Sequence, residues 1–166
     1  MRRTGTLLVL GLSLTLFAGC LESGPDPVAF NDKMVGLQKE IGDKMTAFGD
    51  KIGSTETIVE ADFLKDLADI KTLINTNITV LDKLPTPKGG ENFKAAVRGI
   101  FGFYKDVCDK EFTEMVKLLA KPDFGNADLT TLTNLQKSVQ DQEAVRDKKV
   151  QDAQSAFATK YNITVQ

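Results

Sequence analysis

Between Phe30 and Tyr161, apolar side chains recur at steps of three and four along four long stretches, a pattern that confines the chain to amphipathic helices. The first stretch places Phe30, Met34, Leu37, Ile41, Met45, Phe48 and Ile52 on one stripe. The second carries Leu64, Leu67, Ile70, Ile74, Ile78 and Leu81, and the third Phe93, Val97, Ile100, Tyr104, Cys108, Phe112, Met115 and Leu119. A fourth opens with Leu129, Leu132, Leu135 and Val139, turns polar through "QDQEAVRDKKVQDAQ", and regains Phe157 and Tyr161. Within the second, "TLINTNITV" is rich in β-branched residues, but its spacing inside a long periodic run favours helix over strand.

Breakers separate the stretches: Gly53 with Ser54 and Thr55, then "LPTPKGG", then "KPDFGNAD". Asn31 or Asp32 is expected to cap the first helix, Thr57 and Glu60 to form a capping box on the second, and Asn126 or Asp128 to cap the fourth. Four helices of about 25 to 33 residues on loops of roughly 4 to 7 predict an all-α fold, an antiparallel up-down-up-down four-helix bundle over residues 28–166. In that order "LPTPKGG" and the C-terminus lie at the end where the first helix starts. The "GSTET" and "KPDFGNAD" turns form the far tip.

The chain ahead of the bundle has a different character. Arg2 and Arg3 precede an apolar run, Leu7 to Gly19, and no acid occurs before Glu22. Thirteen helical residues reach about 20 Å, short of a hydrocarbon core of roughly 30 Å, so the run reads as a cleaved signal segment, residues 1–19. It closes on "FAGC", which resembles the lipobox of bacterial lipoproteins, with Phe17 where leucine is usual. The resemblance implies cleavage between Gly19 and Cys20 and acylation of Cys20. Two or more acyl chains anchor stably where one binds only marginally. "LESGPDP" then completes a tether over residues 20–27. Leu21 is not the aspartate that holds lipoproteins at the inner membrane in enteric bacteria, which favours the outer membrane, on its periplasmic face or at the cell surface. The stretch "AFNDKMVGLQKEI" also resembles the start of helical surface lipoproteins of spirochaetes and other Gram-negative bacteria.

Removal of the first 19 residues leaves 147, enough for one domain, with 19 basic residues against 23 acidic and a net charge of −4. That balance gives no basic footprint for nucleic acid. The chain has no histidine, which removes the commonest general base near neutral pH and the Glu-x-x-His pairs of di-iron bundles. No phosphate-binding loop, C-x-x-C or G-x-S-x-G occurs either, so no catalytic residue, metal or cofactor is expected and the pattern argues against an enzyme.

With Cys20 acylated, Cys108 is the sole remaining thiol, and its stripe position predicts a buried hydrophobe ahead of a reactive group. "GIFGFY" reads as plain core, or else as a ligand pocket lined by Phe101, Phe103 and Tyr104 or a close helix approach at Gly99 and Gly102. The polar half of the fourth helix, with Glu143, Asp147 and Lys148, reads as a solvated face or as a surface that a partner covers. Asn77 and Asn162 begin N-x-T sequons, which carry no weight in a bacterial lipoprotein. The expected protein is a membrane-anchored envelope lipoprotein whose partners are the membrane, through Cys20, and an envelope protein. Its runner-up is a carrier of a small apolar ligand, and the sequence sets no oligomeric state. Replacing Cys20→Ser should abolish incorporation of labelled palmitate and leave the signal segment attached; acylation that persists in the variant would overturn the lipobox reading.

Overall fold

A computed structural model describes residues 24–164, so the signal segment, the Gly19–Cys20 cleavage point and the acylated Cys20 lie outside the described residues. The described chain is all-helical, without strands: α1 (Pro27–Ser54), α2 (Glu60–Lys83), α3 (Glu91–Asp109), α4 (Glu111–Leu119) and α5 (Asn126–Tyr161). The β-branched run in α2 is helical, because its apolar spacing buries Ile74 and Leu81 on the same face as Leu67 and Ile70.

The helix starts differ from the sequence expectation. Asp26, not Asn31 or Asp32, caps α1: its carboxylate accepts from Val28 N–H at 2.9 Å, and Pro27 follows at the first helical position. Thr57 and Glu60 form no capping box, since Val59 is the cap residue of α2 and offers no side-chain acceptor. Asp128 does serve α5, from the third helical position, accepting from Gly125 N–H at 3.1 Å. The third periodic stretch is not one helix. It breaks at Lys110 (φ −113°, ψ −80°), and the Thr113 hydroxyl donates to the Cys108 carbonyl at 2.8 Å across the break.

One core gathers residues from every helix, including Met34, Ile41, Ile74, Phe93, Val97, Phe101, Val116 and Phe157. α3 packs on α2 and α5, and α1 on α2. Pairings across helices run in reversed register. Lys51 pairs with Asp66 at 2.5 Å, whereas the Asn77 amide donates to the Leu37 carbonyl and the Glu40 carboxylate, each at 3.1 Å. Arg98 pairs with Asp82, and Lys71 with Asp109. Tyr104 meets Glu143, while the Lys88 carbonyl accepts from Tyr161 at 2.7 Å and from Lys160.

Two aromatic groups hold the ends. Phe30, Phe93 and Phe157 meet with ring centroids 5.3 to 6.1 Å apart, joining α1, α3 and α5, and Tyr161 extends the group at 5.0 Å from Phe157. Farther along α1, Phe48 meets Phe63 of α2 at 6.0 Å and stacks on Phe112 of α4 at 5.8 Å. The 84–90 turn closes beside the first group. Gly89 has φ +85°, a conformation that favours glycine, and a Cβ on Gly90 would sit a tight 3.1 Å from the Phe30 ring. Phe93→Ala should lower stability by about 3–5 kcal/mol in urea unfolding, since it empties a fully buried site with two ring partners. Leu129→Ala, at a side chain 52 % exposed, should change stability by less than about 0.5 kcal/mol, and equal losses from the two would contradict this core.

Candidate binding groove

The "GIFGFY" residues separate in the fold. Phe101 is fully buried, Phe103 is buried beneath the Arg146 guanidinium, 4.2 Å from the ring centroid, and Tyr104 is half-buried with its ring 5.7 Å from that of Phe103. A Cβ built on Gly99 or Gly102 meets nothing within 4 Å, so these glycines do not mark a close helix approach. Cys108 is buried, as its stripe position predicts, and desolvation together with the Asp109 charge pushes its thiol up to about 12, partly opposed by Lys71. A thiol in that setting is inert at neutral pH.

An apolar groove of about 370 Å³ opens elsewhere, between α1 and α5 with α4 beneath. Its walls include Met45, Phe48 and Ile52 from α1, Phe112 and Leu119 from α4, and Leu132 and Val139 from α5. Five stripe residues that face it, Met45, Ile52, Phe112, Leu119 and Leu132, are only partly buried. Phe48 pairs with Phe63 and Phe112, and α5 carries no aromatic side chain before Phe157 that could join them. Just beyond it, Phe124 and Leu129 are exposed at the start of α5.

Glu143 closes the groove as the one charged group among its described lining residues. The Tyr104 hydroxyl donates to its carboxylate at 2.8 Å, and burial, that bond, and the charges of Glu143 and Asp147 hold the phenol well above its ordinary pKa. Among the described residues Glu143 forms no ion pair: Arg146, three residues on, lies over Phe103 and donates to the Gln142 carbonyl at 2.9 Å. Asp147 follows one turn later, its pKa raised first by desolvation and then by Glu143. The polar half of α5 is therefore not simply a solvated face. Glu143, Arg146, Asp147 and Gln154 are half-buried, and Gln154 donates to the buried Asn31 at 3.0 Å. Lys137–Asp141 and Lys148–Asp152 lie on the outer face as exposed i,i+4 pairs.

Sequence reasoning had a signal for the groove. The fourth stripe continues past Leu132 through Gln136, Gln140 and Glu143 at steps of four, four and three, so polar groups occupy positions that a closed core would fill with apolar ones. Asn77 is 3 % exposed with its amide committed to α1, which bars sugar attachment at that sequon in the folded chain. Among the described residues no group of histidine, cysteine or acidic side chains is arranged to hold a metal ion, and no helix is long and apolar enough to cross a membrane. No protein family, no characterised protein and no solved structure matches the chain.

Asp147 gives a pH test. Its folded pKa lies above the ordinary 3.8, so its contribution to stability is fully present below 3.8 and is lost as pH rises through the folded value. Asp147→Asn should thus raise Tm at pH 7 and leave it unchanged near pH 3. A lowered Tm at pH 7 would show that the carboxylate stabilises the fold.

Proposed function

We propose that this chain is a lipid-anchored lipoprotein of the bacterial envelope, with acyl chains on Cys20 and an outer-membrane location, and that it works as a contact module and not as an enzyme. Its helices form an antiparallel up-down-up-down four-helix bundle in which α3 and α4 together make the third member. The reversed pairings Lys51–Asp66, Arg98–Asp82 and Tyr104–Glu143 support that order. The charged start, short apolar run and "FAGC" support the anchor.

One observation carries the functional reading: the two ends of the helical body differ. α1 begins beside the Phe30–Phe93–Phe157 group, near the 84–90 turn and Tyr161, so a tether leading into Pro27 leaves from the sealed end. The groove and the exposed Phe124 and Leu129 lie toward the other end, where an envelope partner meets the module away from the membrane. The groove also favours a second reading, a carrier of a small apolar ligand, with the ligand held between α1 and α5 and not beside Phe101 and Phe103.

A photo-crosslinking residue tests the contact reading in intact cells. Placed at Leu129 it should give a discrete adduct in the membrane fraction, while at Val35, also exposed but on α1 near the sealed end, it should give none. Adducts at Val35 alone, or at neither site, would contradict contact through the far end.

A further inference from the structure

The walls of the groove ask for an apolar body, and its single charge narrows the class of molecule. A volume of about 370 Å³ falls at the lower end of the roughly 300–1,000 Å³ usual for small-molecule sites. Met45, Ile52 and Leu132 are part-buried around it, with the stacked Phe48–Phe112 rings on one side. Glu143 stands among these groups with a neutral hydroxyl as its partner, no cation paired to it among the described residues, and Asp147 adding negative charge one turn away.

We propose that the groove binds a lipophilic cation, an apolar chain or ring bearing a protonated amine, with its body on the α1 and α4 walls and its ammonium at the Glu143 carboxylate. This rests on the carrier reading. A neutral amphiphile fills the same walls but brings no counter-charge to the half-buried carboxylate, and an anionic one brings a second negative charge beside it. An ammonium has three donors, so it can pair with Glu143 and keep others for water or for the exposed side chain of Gln140, which also lines the groove. The aromatic faces of Phe48 and Phe112 tolerate a cation as well as a hydrocarbon. Tyr104 acts through Glu143, holding its carboxylate in place, and is a positioning residue.

Three probes of equal chain length separate the possibilities: octylamine, octanol and octanoate, titrated calorimetrically at pH 7 into the acylated full chain held in neutral-lipid nanodiscs, with the heats of empty discs subtracted. Octylamine should bind saturably and about tenfold or more tighter than octanol, with octanoate weaker again. Glu143→Gln, which can still accept from Tyr104, should bring octylamine to the level of octanol. Gly49→Leu should remove binding of all three: Gly49 lines the groove, a Cβ there meets nothing within 4 Å, and leucine suits the helix. Equal affinities for amine and alcohol, both lost in Gly49→Leu, would overturn the cation assignment while leaving the carrier reading intact. Absence of saturable binding by any probe would overturn both, as would binding that Gly49→Leu leaves unchanged. If Glu143→Gln fails to fold, the ranking of the three probes on the parent chain decides alone.

Discussion

The meeting of Phe30, Phe93 and Phe157 is the contact on which the rest of the structure depends. Aromatic residues bury more apolar surface than any other side chain, and these three come from the first, third and last long helices. Their contact ties α5 to α1 across the body of the protein. It also draws in the 84–90 turn, because Gly90 lies close to the Phe30 ring and the Lys88 carbonyl accepts from both Lys160 and Tyr161. α5 is polar over most of its length and buries only Val139, Val150, Phe157 and Ala158, so its position is set mainly from this end.

The second aromatic group has the opposite effect on α5. Phe48, Phe63 and Phe112 tie α1 to α2 and α4, and α5 has no ring at that level. The chain thus closes at one end and stays parted at the other, and the parted end carries the groove. Buried polar pairs then hold the helices in register. Asn77 spends its amide on Leu37 and Glu40, and Asn31 accepts from Gln154, so sliding either helix by one turn would strand a buried amide. Among the described residues no buried side-chain nitrogen or oxygen lacks a partner.

Much of the fold was legible in the sequence because burial follows apolar periodicity. Phe30, Met34, Leu37, Ile41, Phe93, Val97, Ile100 and Cys108 were all read onto stripes and all are buried. Caps were less legible. Whether Asp26, Asn31 or Asp32 starts α1 depends on which backbone position is extended, and three polar candidates within seven residues look alike in one dimension. The break at Lys110 has no glycine or proline to announce it. The groove was legible only through the polar run Gln136, Gln140 and Glu143 on the fourth helix; Met45, Ile52 and Leu132 have core spacing, and their partial exposure is a property of tertiary packing. Glu143 was visible as a charge on a polar helix. Its setting without an ion pair depends on Tyr104, 39 residues away, and on Arg146 lying over Phe103.

Anchor, helical body and groove meet in one observable, the intact mass of the protein drawn from its own envelope in mild detergent and measured by native mass spectrometry. The expected mass is that of a chain beginning at Cys20, carrying acyl groups, with part of the population heavier by one small basic molecule that Gly49→Leu removes. A chain that still carries residues 1–19 and no acyl group would overturn both the anchor and the envelope location proposed for it.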